Sequence, residues 1–384
     1  MKVLIYAHDF APSVGGVENV VAALAGGLAS RAQVRVATQQ AAGDFDDAGL
    51  PYEVVRQPGL AAMWQLVREA DLVHIAGPAL LPMAMGWLLG KKVVVEHHGF
   101  QAVCPNGQLF YEPTQGPCPG HFMAGHHGEC LRCNAGVGTM HSAKLWLLTF
   151  PRRWLSRRSN LQIAPTRWLS SLLRMNGVRT IFHGVRERQA DQVAPGSAEP
   201  PRVVFLGRLV TTKGVQTLLE AAAGIRRRGR ELQVEVIGDG PERVRLEART
   251  KELGIADLVC FRGRLAEEAV DAICAGALCM VMPSLGGEVF GLVAAEQMMR
   301  GRAMVVTGVG ALVEVVGEAG LVFPAGDAGA LERCLEQLLC KRRLAAELGM
   351  LGRLRAVDFF SVQRMIDEHF AAFRDVLDKG DHRC

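Results

Sequence analysis

The sequence predicts an α/β protein built as two doubly wound parallel sheets. Three observations carry this. Near-continuous Val, Ile and Leu runs of strand length alternate with helical stretches; the alternation starts afresh after a polar, proline-bearing segment at residues 186–201; and 384 residues at 49% hydrophobic content suffice for two separate cores. Strands covered by helices on both faces need such unbroken apolar runs.

Residues 2–7 read as a short buried strand, which runs through a loop with Pro12, Gly15 and Gly16 into an apolar helix over residues 17–29. Strand-type runs follow at 34–37, 53–56, 72–75 and 93–96. The second round opens with a strand at 202–206, which passes through Gly207 and Arg208 to a helix from Gly214. Further strands are expected at 233–237, 258–261, 278–282 and 303–306. Residues 361–379 form an amphipathic stretch with Met365, Ile366, Phe370, Phe373 and Val376 at helical spacing. The expected organisation is therefore a first domain over 1–185, a linker over 186–201, a second domain over 202–360 and a terminal helix within 361–384.

The net charge of +4 comes from nearly balanced acids and bases, which predicts no nucleic-acid partner. Apolar runs such as 203–206 and 278–282 are far too short to span a bilayer, and His8 and Asp9 break the N-terminal apolar run, so no signal pattern is expected. A cytoplasmic location follows. Arg152, Arg153, Arg157 and Arg158 flank Trp154 and Leu155. Two readings stand for this cluster: peripheral contact with the inner, anionic face of a membrane, or a solvated helix with two core anchors.

Two constellations carry chemistry. In Gly207-Arg208-Leu209-Val210-Thr211-Thr212-Lys213-Gly214, two cations lie on a strand-end loop that opens a helix. Free backbone N–H groups and a partial positive charge gather there, so Arg208 and Lys213 would complete a clamp for a diphosphate. In Glu288-Val289-Phe290-Gly291-Leu292-Val293-Ala294-Ala295-Glu296, Glu288 is expected on a loop entering a helix and Glu296 about two turns inside it. The two acids would then grip separate parts of one extended ligand, such as sugar hydroxyls and a ribose.

Cys104, Cys118, Cys130 and Cys133 fall in a Gly-, Pro- and His-rich segment over residues 97–136, and Cys130-Leu131-Arg132-Cys133 alone has tight ligand spacing. Four thiolates would close a structural zinc site stapling a loop that lacks a core. Four reduced thiols in a packed loop is the competing reading.

Taken in order, the motifs resemble those of the family-four retaining glycosyltransferases over nearly the whole chain. The resemblance rests on Gly15-Gly16-Val17-Glu18, Val95-Glu96-His97-His98, Ala164-Pro165-Thr166-Arg167, Gly207-Arg208 with Lys213-Gly214, Ile237-Gly238-Asp239-Gly240-Pro241, Phe261-Arg262-Gly263-Arg264-Leu265, and the pair Glu288 and Glu296. It implies a GT-B fold, with two Rossmann-like domains facing a central cleft and a C-terminal helix crossing back to the first domain. It also implies a nucleotide-diphosphate sugar donor of UDP or GDP type, a saccharide or lipid-linked saccharide acceptor, and no catalytic metal. Catalytic roles would fall to His98, Arg208, Lys213 and Glu288. Donor contacts would come from Gly15, Gly16, Arg208, Lys213, Gly238, Arg264, Leu265, Glu288, Phe290, Gly291, Leu292 and Glu296. A subset of the family carries a similar Cys-rich insertion after the same histidine, which favours a structural role for it. A nucleotide-sugar epimerase on the same fold and a non-catalytic nucleotide-sugar or metal-binding module are the alternatives.

The sequence departs from the family at three points. His98-Gly99 stands where His-Asp is frequent, His183-Gly184-Val185 where Asn-Gly-Val is usual, and Gly310-Ala311 where Gly-Gly is usual. The second departure puts in doubt any donor or hinge contact at 183.

Overall fold

The computed structural model describes residues 1–13, 15–133, 138–191 and 195–378. Contacts divide the chain into two units: one holds residues 1–108, 120–185 and the stretch from 360 onward, the other residues 109–119 and 186–359.

The chain begins with β1 (Lys2–Ala7), α1 (Gly16–Ala29), β2 (Gln33–Thr38), β3 (Glu53–Arg56), α2 (Leu60–Glu69), β4 (Leu72–Ala76), α3 (Leu80–Leu88) and β5 (Lys92–Glu96). A short antiparallel pair, β6 (Phe110–Tyr111) and β7 (Gly116–Pro117), precedes α4 (His127–Cys133), α5 (Thr139–Arg158), β8 (Leu161–Ala164), α6 (Arg167–Leu173) and β9 (Val178–Thr180). The second unit continues with β10 (Arg202–Leu206), α7 (Val215–Arg227), β11 (Gln233–Ile237), α8 (Arg243–Glu252), β12 (Val259–Gly263), α9 (Glu267–Cys274) and β13 (Cys279–Met282). It closes with α10 (Leu292–Met299), β14 (Met304–Thr307), α11 (Leu312–Val316), β15 (Gly320–Phe323), α12 (Ala328–Cys340) and α13 (Arg342–Phe359), after which α14 (Val362–Asp378) returns to the first unit.

All strand pairs in the two main sheets are parallel. The first sheet has the order β3-β2-β1-β4-β5-β8-β9 and the second β12-β11-β10-β13-β14-β15. Each order reverses direction once, between β1 and β4 in the first sheet and between β10 and β13 in the second. Such reversals open a crevice at the carboxyl ends of the strands, where ligands of open α/β sheets bind. The apolar runs form the cores: Leu4, Tyr6, Val73, Ile75 and Val95 in the first unit, and Val203, Phe205, Val234, Val236 and Val281 in the second.

The expected strands are present with shifts of one or two residues at their ends. Strands β8, β9 and β15 were not expected; they are three or four residues long. Polar residues such as Gln162, Arg179 and Thr180 interrupt the pattern in the first two. The terminal helix buries Met365, Ile366, His369, Ala372, Phe373 and Val376. It packs on α1, where Gly27 makes room: a Cβ there would lie 2.1 Å from Ile366 Cδ1. Lys379, the last residue of the expected helix, lies outside the described residues.

Candidate functional site

In the second unit, the loops after β10 and β13 are stitched together by backbone. The N–H groups of Leu285 and Gly286 both donate to Thr212 O, at 2.8 and 3.0 Å. A tight turn at Thr211–Lys213 ends at Gly214, whose φ of +65° and approach to Pro283 O, 2.0 Å from a would-be Cβ, admit only glycine. This pairing delivers Lys213 to Glu288: Lys213 Nζ donates to Glu288 Oε1 at 2.5 Å, and Ser284 Oγ donates to the same oxygen at 2.9 Å. The loop after β14 supports Glu288 from behind, through an Ala311 N–H to Glu288 O bond of 2.8 Å. Gly310, at φ +66°, could not carry a Cβ, which would lie 2.5 Å from that same carbonyl oxygen. The retained glycine of the Gly310-Ala311 departure is thus the one the geometry needs.

Other residues singled out from the sequence lie around this pair. Arg208 is exposed and makes no hydrogen bond or ion pair with the described residues. Gly238 ends β11 at φ +126°, and a Cβ there would sit 1.9 Å from Gly207 O. Arg264 and Leu265 are exposed just past β12. Phe290 is buried, and Gly291, at φ +95°, precedes α10 with no side chain capping that helix. Glu296 lies about one turn inside α10, not two, because the left-handed Gly291 delays the helix start to Leu292; its side chain is exposed.

In the first unit, the crevice between β1 and β4 is a pocket of about 440 Å³. The β1 end supplies His8 and Asp9, the β4 end Gly77 and Pro78, and the β5 end His98, Gly99 and Gln101, with Glu18 of α1 and Arg152 of α5 completing the wall. Gly15 and Gly16 lie at the start of α1, where Gly15 has extended backbone. The Glu18 side chain folds back beside Gly15 and accepts a 3.3 Å hydrogen bond from Ser13 Oγ.

Behind His98 is a cluster that sequence reasoning missed. The fully buried Glu96, at the end of β5, is surrounded by four imidazoles. His74, His98 and His369 approach Oε2 through Nε2 at 3.1, 3.4 and 3.3 Å, and His183 Nε2 lies 3.5 Å from Oε1. Burial pushes the Glu96 carboxyl upward, but His98, His369 and His183 outweigh it and hold it well below the usual carboxylate range. Burial also works against the charged form of His369, yet Glu96 raises its pKa above the ordinary value. Burial lowers His74, and it lowers His183 to about 4. Glu96 and His369 thus favour each other's charged forms against burial, and Glu96 also contacts His98 at the pocket wall. His183, which replaces the usual Asn, is a member of this cluster. The signal available in the sequence was only a scatter of histidines.

Among the described residues, one group has metal-ligand spacing: Glu96, His98 and His183, with ligand atoms within 4.8 Å of one another. The His98 and His183 rings stack at 5.0 Å and 25°, and both turn Nε2 toward Glu96. No disulfide links the four cysteines, and they form no such group among the described residues. Cys104 Sγ donates to Asn106 Oδ1 at 2.9 Å, and Asn106 Nδ2 donates to Cys133 Sγ at 3.3 Å.

The arginine cluster divides by face. Arg153 donates to the carbonyls of Leu173 and Arg174 at 2.8 and 3.3 Å, and Arg152 turns to the pocket. Arg157 and Arg158 are exposed, as is Trp154, which packs edge-on against Trp87 of α3 at 5.5 Å. Of the two expected core anchors only Leu155 is buried. Leu81 and Leu88 of α3 and Leu147 and Phe150 of α5 are also exposed. Among the described residues no helix is long and apolar enough to cross a membrane.

Sucrose-phosphate synthase from Thermosynechococcus elongatus superposes with a TM-score of 0.74 at 21% identity, covering 98% of this chain and 99% of that one. The fold is that of the GT-B glycosyltransferases. The family Glycosyltransferase Family 4 matches residues 14–188, and Glycosyl transferases group 1 matches residues 187–355. The chain is thus similar to the glycosyltransferases of these two families, one model matching each half of it. Its relatives include the 2-deoxystreptamine glucosyltransferase of Streptomyces kanamyceticus, 31% identical over 182 residues, with 47% of this chain and 46% of that one covered. The chain thus spans about half the length of this curated relative. The GDP-mannose-dependent alpha-(1-6)-phosphatidylinositol monomannoside mannosyltransferase of Mycolicibacterium smegmatis is 26% identical over 380 residues, with 92% and 94% covered.

Proposed function

We propose that the protein transfers a sugar, with retention of anomeric configuration, from a nucleotide-diphosphate sugar to a saccharide or lipid-linked saccharide. The observation that carries this is the pairing of Lys213 with Glu288 at the switch point of the second sheet. There a cation can meet a diphosphate while the adjacent carboxylate receives sugar hydroxyls.

In this reading residues 202–360 hold the donor. Arg208 and Lys213 neutralise the leaving diphosphate, and backbone N–H groups at Phe290, Gly291 and Leu292 cradle its phosphates. Glu288 holds the sugar, Glu296 the ribose, and Arg264 and Leu265 the base. Gly15, Gly16 and Gly238 let backbone approach the donor without a side-chain collision. The acceptor is held by residues 1–185, with His98 orienting the reacting groups. The bond from the anomeric carbon to the diphosphate breaks, and the bond to the acceptor oxygen forms on the same face. The departing phosphate oxygen takes the acceptor proton, so no separate base and no catalytic metal is needed. GDP-mannose is the first donor to try, because the mannosyltransferase relative matches over 94% of its length. UDP-sugars come next.

The exposed Trp154, Trp87, Arg157 and Arg158 support peripheral contact with an anionic membrane face on the cytoplasmic side. For Cys104, Cys118, Cys130 and Cys133, the Asn106 bridge between two of the thiols favours reduced cysteines over structural zinc.

The test is nucleotide release from GDP-, UDP- and ADP-sugars, with and without mixed saccharide acceptors, comparing wild type with Arg208→Ala and Glu288→Ala. Acceptor-dependent release that falls on the order of 100- to 1000-fold in each variant is expected. Turnover without acceptor would indicate an epimerase, and tight donor binding with no release a binding module.

A further inference from the structure

The pocket of the first unit holds a cation that the transfer mechanism does not use. Arg152 lies in the middle of α5 and turns away from that helix's exposed face into the pocket wall beside His98, Gly99 and Gln101. Its guanidinium is half-buried and makes no hydrogen bond or ion pair with any described residue. Its neighbour Arg153, by contrast, is tied to two carbonyls. A guanidinium has five N–H donors and stays charged, so removing it from water without a partner costs free energy. The pocket's two acids do not compensate it. Neither Asp9 nor Glu18 lies within ion-pair distance of Arg152, and burial alone accounts for the lowering of its pKa.

An unpaired, partly desolvated guanidinium in a cavity of about 440 Å³ matches one kind of ligand best: a phosphate or carboxylate that accepts two parallel N–H bonds. We propose that Arg152 is the anion-binding group of the acceptor site, and that the acceptor carries an acidic group close to the hydroxyl that receives the sugar. Asp9, Glu18 and His8 face the same cavity and are suited to neutral hydroxyls, which places the acid at the Arg152 end. The anion belongs either to a saccharide itself, as in a uronic acid or sugar phosphate, or to the phosphate of a lipid headgroup. The exposed end of α5 that carries Trp154, Arg157 and Arg158 makes a membrane-borne source accessible to the same helix. The acceptor role assigned to this anion rests on the transferase reading above; the binding event does not.

The experiment measures binding calorimetrically in Lys213→Ala protein, which removes the donor clamp as a competing anion site. The probes are glucose, glucuronic acid and glucose 6-phosphate, together with phosphatidylcholine vesicles with and without phosphatidylinositol. Glucuronic acid or glucose 6-phosphate should bind at least tenfold more tightly than glucose. Arg152→Gln should abolish that preference and Arg152→Lys should retain part of it. Gln101→Glu, which adds a negative charge to the same wall, should also weaken acid binding, and it keeps the test open if Arg152→Gln is unstable. If only phosphatidylinositol vesicles bind, and do so dependently on Arg152, the anion comes from a lipid headgroup. Equal affinity for glucose and the two acids, without vesicle binding that depends on Arg152, overturns the proposal, as does acid binding unchanged by Arg152→Gln. Arg152-dependent binding in a protein that releases nucleotide from no donor would sink the transferase reading and leave the anion site standing. Transfer confined to neutral acceptors would do the reverse.

Discussion

Acid should loosen the first unit before the second, and His97 offers the cleanest handle on this. Its ring is fully buried, with Nε2 3.2 Å from Gln162 Oε1, and burial lowers its pKa from 6.5 to about 4. A histidine kept neutral in the fold binds its proton readily only when the chain unfolds. Stability is therefore full above the unfolded value and is lost as pH falls from 6.5 toward 4. Linkage at these two values gives a loss of about 2 kcal/mol at pH 5 relative to pH 8. The groups facing His97 are Glu96, His98 and Arg153, and all remain when His97→Gln replaces the ring by a neutral amide of similar reach. All 5 tryptophans lie in the first 185 residues, so tryptophan fluorescence during urea unfolding reports on the first unit alone. With a slope of about 2–3 kcal/mol per M, the wild-type midpoint should fall between pH 8 and pH 5 by roughly 0.7–1 M more than that of His97→Gln. Parallel loss in the two proteins would mean that His97 titrates alike in both states, and the desolvation argument would fail.

Three further outcomes are expected. Gly238→Ala places a Cβ 1.9 Å from Gly207 O at a φ of +126°, so it should destabilise the second unit by about 1–3 kcal/mol, read as a lower calorimetric transition with unchanged tryptophan fluorescence. Deleting residues after Asp358 removes the buried Phe360, Met365, Ile366 and Phe373, each worth about 1.5–3 kcal/mol; the first unit should then lack a cooperative fluorescence transition, and unchanged melting would contradict the packing role of α14. Replacing Arg157 and Arg158 together by Ala should weaken sedimentation with anionic vesicles roughly 30-fold at about 1 kcal/mol per arginine, whereas the pocket-facing Arg152→Gln should leave binding to purely phosphatidylglycerol-bearing vesicles within about twofold.

The two sheets were legible because buried parallel strands leave short apolar runs rich in Val and Ile, bounded by loop residues. Strands β8 and β9 were not, because edge positions three or four residues long tolerate Gln162, Arg179 and Thr180. Lys213 and Glu288 were legible as charges at strand ends. Their contact was not, since it depends on Thr212 O receiving two N–H groups from a loop some seventy positions later in the chain. The Glu96 cluster was invisible for a related reason. His74, His98, His183 and His369 share no local spacing and meet only because β4 pairs with β5 and α14 returns to the first unit. The arginine cluster was read as a single feature, whereas helical rotation assigns its members to different surroundings.

On the proposed reading, the distribution of charge gives the two crevices different tasks. In the second unit Lys213 is already matched by Glu288, so that pair contributes no net charge toward an incoming diphosphate. The net attraction must come from Arg208, which has no partner among the described residues, and from the uncapped start of α10. In the proposed transfer, a sugar that drew Glu288 into hydrogen bonds with its hydroxyls would release the Lys213 ammonium toward the phosphate on which charge develops as the glycosidic bond breaks. Lys213 would then be most effective at the stage where a cation accelerates the reaction, because stabilisation confined to the transition state raises turnover more than stabilisation present from the outset. In the first unit the order is reversed. Behind His98, Glu96 is met by His369, and Arg152, which has no partner among the described residues, lines the same pocket as His98. In the proposed reading, that crevice is suited to holding an acceptor beside the His98 imidazole, while the chemistry of the leaving group falls to the residues of the second unit.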